Sequence, residues 1–268
     1  MGIMTARGKK VLEVINVSRN FGGLAALSDI SLQVQKGETV GIIGPNGAGK
    51  TTAFNIITGT LRPNGGRVLL DGRDITGCKP STIVKLGLAR TFQNATLYPE
   101  ASVHENILRG ALWKLRRSML FKLLPPRGEY AASLDQQQQL VDDIISTLEL
   151  GPYRGRMAGE LPYGIQKKVG VAIGLATSPK LLLMDEPAAG LNSKESREFG
   201  YLIDRIKQHY SLTVLLVEHH IALVREISSR IIVISQGRMI SQGTPQYVLN
   251  DERVIESYLG GGGWHAEG

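Results

Sequence analysis

Two stretches of alternating apolar and polar positions open the chain. Val11-Leu12-Glu13-Val14-Ile15-Asn16-Val17 and Ile30-Ser31-Leu32-Gln33-Val34 alternate by twos, the spacing of strands with one buried face. Val68-Leu69-Leu70 running into Asp71-Gly72 predicts a third strand entering a turn. In between, Thr39-Val40-Gly41-Ile42-Ile43-Gly44 is apolar and β-branched, as a buried strand is, and residues 51–57 then place apolar side chains at helical spacing. From about residue 95 to 160 helical spacing dominates, most clearly over 142–150, and the polar run 136–139 predicts an exposed helix face. After Leu161 the α/β pattern resumes with a helix, a buried strand at 181–184, a helix, and a strand at 213–217. A last strand at 231–234 leads through Gln236-Gly237 into a hairpin, and residues 260–268 have the composition of a flexible tail. No internal repeat is present. The pattern predicts an α/β core, formed by residues 1–94 and 161–259, interrupted by a helical insertion over 95–160.

Bulk properties narrow the setting. The 268 residues suffice for one large domain or two unequal ones. No apolar run approaches the ~18 residues a membrane span needs. The basic first ten residues lack the apolar stretch of a secretory signal, which predicts an intracellular protein. Cys78 is the only cysteine, so an internal disulfide and a cysteine-based metal site are excluded. The net charge of +7 fits a nucleic-acid partner, an anionic membrane surface, or neither. The basic residues are scattered and no nucleic-acid module is recognisable, so no nucleic-acid partner is expected. One stretch concentrates them: residues 113–124, basic and strongly apolar, before Pro125-Pro126. It suits a segment at lipid headgroups or on a partner, and equally a core-facing helix with a solvated basic rim.

The candidate chemistry begins at Gly44-Pro45-Asn46-Gly47-Ala48-Gly49-Lys50-Thr51, which fits the phosphate-loop pattern G-x-x-x-x-G-K-[ST]. It lies between a predicted strand and a predicted helix that continues through Thr52. Backbone N–H groups and the positive end of the helix dipole converge on phosphate oxygens there. Gly44, Gly47 and Gly49 let the backbone curl without Cβ clashes. Lys50 is expected to reach the β- and γ-phosphates, and the Thr51 hydroxyl to coordinate Mg²⁺. A second motif, Leu181-Leu182-Leu183-Met184-Asp185-Glu186, ends a buried strand in two carboxylates, where such a strand faces a site above the sheet. Asp185 is placed to hold Mg²⁺, directly or through water, and Glu186 to polarise a water attacking the γ-phosphate. A glycine turn and an acidic turn before Pro187 are the bland alternatives; their co-occurrence with fitting flanks argues against both.

At this point the chain resembles, over nearly its whole length, the ATP-binding subunits of ABC transporters. Arg90-Thr91-Phe92-Gln93-Asn94 looks like the segment holding that family's Q-loop glutamine, so the resemblance implies that Gln93 senses Mg²⁺ and the attacking water. Leu161-Pro162-Tyr163-Gly164-Ile165-Gln166 stands where the signature Leu-Ser-Gly-Gly-Gln belongs, Ala188-Ala189-Gly190-Leu191-Asn192 in the D-loop place, and His219 in that of the switch histidine. Phe21 matches the aromatic that stacks on adenine. In the signature, Pro162, Tyr163 and Ile165 depart from the usual residues; what survives is Gly164 and the N-terminus of the helix it is expected to open, and the resemblance implies Gly164 and Gln166 at the nucleotide. Asn192 replaces the usual D-loop Asp and keeps its hydrogen bonding, and His220 stands where many relatives carry Asp.

Phe21-Gly22-Gly23-Leu24, the run 90–93, Tyr163-Gly164 and the run 185–192 look like the branch serving branched-chain amino acid importers, specifically the longer of its two ATPase subunits. Urea importer ATPases share much of this pattern. The resemblance implies a P-loop NTPase (RecA-like) core with an antiparallel β subdomain and an inserted α-helical subdomain. It implies ATP and Mg²⁺ at the site and a second ABC ATPase facing this one head to tail. It implies integral membrane permease subunits as partners, an extracytoplasmic solute-binding protein acting indirectly, and a peripheral place on the cytoplasmic face of the membrane. Soluble ABC proteins that act on ribosomes or DNA typically fuse two cassettes or carry long coiled coils, and this chain has neither. A non-hydrolysing regulator is disfavoured by Glu186.

Overall fold

The two alternating segments pair with each other. The structure, a computed structural model, describes residues 8–91, 97–113 and 129–259. Strands β1 (Lys10–Phe21) and β2 (Leu24–Gln35) run antiparallel, with Leu12 opposite Val34, Val14 opposite Leu32 and Val17 opposite Ile30. All six side chains are buried, which is why the alternation is visible in the sequence. Both strands run further than that alternation, and their exposed ends carry Phe21 and Leu24 as direct cross-strand neighbours. Strand β4 (Gly65–Leu70) pairs with β1 and β5 (Arg73–Asp74) with β4, giving the antiparallel order β2-β1-β4-β5.

The second sheet has the order β10-β9-β3-β8-β7-β6. Its strands β3 (Thr39–Ile43), β6 (Leu88–Thr91), β7 (Leu181–Asp185), β8 (Thr213–Val217) and β9 (Arg230–Ser235) are parallel. Strand β10 (Arg238–Gly243) returns antiparallel at the edge through Gln236 and Gly237, both at positive φ as a two-residue hairpin requires. The parallel strands read as unbroken apolar runs because both faces are covered. Val40, Ile42, Leu181, Leu183, Leu215 and Val217 join one core, with the antiparallel sheet and the helix α1 (Lys50–Ile57). Ile43, Leu182, Met184, Val214 and Leu216 join the other, with α5 (Tyr163–Ala176), α6 (Ser193–Tyr210) and α7 (Ile221–Ile227).

Helices α3 (Val103–Leu112) and α4 (Glu129–Thr147) lie in the region of predicted helical character and pack on α5. A Cβ at Gly110 of α3 would meet the Ile173 carbonyl at 2.7 Å, so the two helices touch at backbone level. The helix expected over 142–150 stops at Thr147: Glu149 turns left-handed (φ 57°) and the Leu150 N–H returns to the Ile145 carbonyl. The glutamine run is only partly an exposed face, because Gln138 is half-buried and bonds the His104 ring at 2.6 Å. Helix α2 (Pro80–Lys85) and strand β6 are further elements the periodicity does not announce; both are short. Helices α8 (Pro245–Leu249) and α9 (Glu252–Leu259) close the described chain against β9 and β10. Gln93, residues 114–124 of the basic stretch and the tail 260–268 lie outside the described residues.

Candidate functional site

Three adjacent strands bring the predicted residues together. Val217 of β8 pairs with Ile42 of β3 on one side and with Asp185 of β7 on the other. The segments that follow these strands, 44–49, 186–192 and 218–220, therefore emerge side by side at the C-terminal edge of the sheet, where α/β sheets place their ligands.

The glycines of the first segment answer to packing as well as to curvature. Gly44 (φ 153°) lies against β9, and a Cβ there would come within 1.9 Å of the Ile234 carbonyl oxygen. Gly49 (φ 104°) lies against β2, where a Cβ would meet the Ala26 carbonyl at 2.6 Å. Lys50 opens α1 and is buried, with Nζ donating to the carbonyls of Gly44 (2.6 Å) and Pro45 (2.9 Å). Burial lowers its pKa, and the charges of Glu186 and Asp185 oppose that shift. No acidic side chain occupies the first turn of α1. A cleft of about 600 Å³ opens over this turn, lined by Phe21, Leu24, residues 46–52, Glu186, His219, Gln236 and Gly237. Phe21 is half exposed, and the Arg19 guanidinium lies 4.9 Å from its ring centroid.

The two carboxylates part company. Asp185 is buried and ion-paired with Arg90, whose Nη1 also donates to Asn55 Oδ1 of α1 at 2.7 Å. Glu186 adopts a left-handed backbone (φ 47°), with its N–H on the Val217 carbonyl at 2.9 Å. Its Oε1 lies 2.9 Å from His219 Nε2. An uncommon φ for a bulky residue thus turns one carboxylate toward the cleft and leaves its neighbour in the sheet.

The family model described as "ABC transporter" matches residues 27–189. The chain belongs to the ABC transporter ATP-binding family. A second model, "Branched-chain amino acid ATP-binding cassette transporter", matches residues 238–263. The high-affinity branched-chain amino acid transport ATP-binding protein BraF of Pseudomonas aeruginosa is 38% identical over 252 residues, which span 94% of this chain and 98% of BraF. Among solved structures, the ADP conformation of the cassette MJ1267 superposes with a TM-score of 0.81 at 32% identity, covering 94% of this chain and 99% of that one. The dimeric bacterial cassette MJ0796 gives 0.73 at 25%, covering 87% and 98%.

In this ABC cassette, Gly164 and Gln166 do not reach the cleft of their own subunit. Helix α5 begins at Tyr163 rather than Gly164, with Pro162 as N-cap, and the Gln166 amide turns back to the Leu161 carbonyl at 2.9 Å. The Tyr163 ring covers Gly190 so closely that a Cβ at 190 would meet it at 2.8 Å, and Leu191 packs near Gly164. Asn192 caps α6 by accepting the N–H groups of Lys194 and Glu195.

Three residues passed over in the sequence reading also touch the site. Arg90 holds Asp185. Lys167, buried in α5, donates to the Glu186 carbonyl at 3.2 Å. Glu218, buried after β8, accepts the N–H groups of Ala188, His219 and His220. Arg90 and Glu218 are charged residues set within or directly after an apolar strand run, the one signal that could have found them, whereas Lys167 stands among polar neighbours and has no such mark. The two oxygens expected at Mg²⁺ are hard donors that suit it, the exposed Thr51 hydroxyl on the cleft wall and the Asp185 carboxylate, which is buried outside the lining and held by Arg90; among the described residues no cluster of three His, Cys, Asp or Glu forms a cage of its own. Such a pair leaves most positions around the ion for water and phosphate oxygens, the usual arrangement for this metal.

Proposed function

We propose that the chain is the ATP-hydrolysing subunit of an importer of branched-chain amino acids. The observation that carries this reading is similarity to BraF along almost the whole of both chains, joined by the branched-chain family match over 238–263. That second match lies beyond the part of the cassette shared by ABC transporters in general. Among the described residues no helix is long and apolar enough to cross a membrane. In this reading separate permease subunits carry the solute, and the cassette takes a peripheral place on their cytoplasmic side. An extracytoplasmic solute-binding protein acts on it only through them.

In this reading adenine stacks on Phe21 and the phosphates lie along residues 44–52. Lys50 exchanges the Gly44 and Pro45 carbonyls for the β- and γ-phosphates. Thr51 and Gln93, with Asp185 directly or through water, would hold Mg²⁺, which would supply charge neutralisation at the phosphate oxygens. Glu186 takes the proton of the attacking water, and His219 fixes its carboxylate. Gly164, Gln166 and the N-terminus of α5 face the nucleotide of a second cassette, identical or homologous, so two ATP molecules join the pair and hydrolysis releases it. Residues 95–160 carry that motion to the permease.

The test is uptake by proteoliposomes holding the chain with its native permease, partner cassette and binding protein. Labelled leucine is expected to accumulate with ATP and not with a non-hydrolysable analogue. ATP-driven accumulation of urea instead would transfer the assignment to the sister branch.

A further inference from the structure

We propose that Glu218 is a positioning residue for ATP hydrolysis: its buried carboxylate clamps the turn that carries Glu186 to the loop that carries His219. The inference rests on the roles assigned above to those two residues.

Glu218 is 3% exposed and does not line the cleft. Its Oε1 accepts the Ala188 N–H at 2.7 Å, and its Oε2 accepts those of His219 at 3.1 Å and His220 at 3.4 Å. Ala188 belongs to a tight turn closed by the Ala189 N–H on the Glu186 carbonyl at 3.1 Å. His219 Nε2 lies 2.9 Å from Glu186 Oε1. The bonds therefore form a closed ring: Glu186 side chain, His219 ring, His219 N–H, Glu218 carboxylate, Ala188 N–H and back to the Glu186 backbone. One carboxylate spans the two loops that must hold the Glu186–His219 contact.

Burying an ionised carboxylate is unfavourable, and an apolar side chain of equal length would fill the same space without that cost. What the apolar side chain could not do is accept three N–H groups from two different loops. Without them each loop is free to settle separately, and a small displacement of Glu186 affects turnover far more than nucleotide binding, which rests on Phe21 and residues 44–52.

The experiment compares the wild-type chain with Glu218→Met, Glu218→Gln and Glu186→Gln, each assembled with the native partner cassette and permease, measuring ATP turnover against ATP concentration, together with thermal unfolding of each chain. Met keeps the length and removes every acceptor; Gln keeps one oxygen. The expected result is a kcat lowered about tenfold or more in Glu218→Met and about three- to fivefold in Glu218→Gln, with KM for ATP within about twofold. Wild-type kcat in Glu218→Met, alongside an inactive Glu186→Gln, overturns the inference alone. A loss of kcat that only tracks the loss of folded or ATP-bound protein overturns it as well. Full turnover in Glu186→Gln overturns the site assignment and the inference with it. If Glu218→Met does not fold, the kcat and KM of Glu218→Gln decide by the same criteria.

Discussion

Arg90 and Asp185 form an ion pair inside the parallel sheet, with side chains 9% and 11% exposed. Arg90 sits on β6 opposite Leu183, so its guanidinium reaches two residues along β7 to the carboxylate at the strand end. Its second arm bonds Asn55, which makes it a tie between the helix after the phosphate loop and the strand that ends in the acidic pair. Replacing Arg90 by Met leaves a carboxylate buried without its cation, a change that costs about 3–5 kcal/mol. The denaturant midpoint should fall accordingly, and Asp185→Asn in the same chain should recover part of the loss. An unchanged midpoint in the single variant would show that the pair does not support the fold.

That tie also marks the limit of what the sequence makes legible. Lys50 and Thr51 are found by inspection because their chemistry is written in eight consecutive residues. Strands β3, β7 and β8 are found because burial on both faces leaves unbroken apolar runs. Arg90 is 95 residues from Asp185, and Glu218 is 30 from Ala188. Nothing local records such pairings; only the strand order brings them together. The apolar spacing overruns the end of α4 for a related reason, since Leu148 and Leu150 are buried and continue it beyond Thr147 and across the left-handed turn at Glu149. Tyr163 looked like a departure in the signature, and its partner Gly190 became apparent only in three dimensions.

Glu186→Gln keeps the side chain's shape and removes its basicity. Turnover should fall by about 10² or more, the usual range for a general base, while ATP affinity stays within about threefold. His219→Ala should also lower kcat with little change in KM, because it removes the contact at 2.9 Å and leaves the phosphate loop intact. Single-turnover hydrolysis with an independent nucleotide-binding assay separates the two quantities. Normal kcat in both variants would remove the pair from the chemistry.

Two glycines of the phosphate loop should respond differently to alanine. At Gly47 a Cβ meets nothing within 4 Å, so Gly47→Ala costs only the left-handed φ, about 1–2 kcal/mol. At Gly44 the Cβ would sit 1.9 Å from a backbone oxygen of β9, and either the loop or the strand must move. Gly44→Ala should therefore unfold at a clearly lower temperature than Gly47→Ala and lose ATP binding even where it folds. Equal melting temperatures would mean that the contact with Ile234 is not constraining.

The pH dependence of stability should carry the mark of Glu218. Burial pushes its pKa up from 4.5, the amides of Ala188, His220 and His219 pull it partly back, the charge of Glu186 adds to the rise, and the balance is upward. In the unfolded chain the group ionises near 4.5 and in the folded chain only at higher pH. Between those values the folded state holds the extra proton, so stability falls as pH rises, by at most about 1.4 kcal/mol per pH unit. The contribution of the protonated group is complete below the unfolded pKa and is gone once pH passes the folded one. Glu218→Gln has no such titration, whereas Asp204, whose pKa burial also raises, is common to both proteins and cancels in the comparison. The stability of the wild type relative to Glu218→Gln should therefore decline from pH 4.5 upward and level off once the folded group is ionised. Denaturant titrations of both proteins at several values between pH 4.5 and 8 measure that difference, and a flat difference across the range would mean that the amides of Ala188, His219 and His220 fully offset the effect of burial.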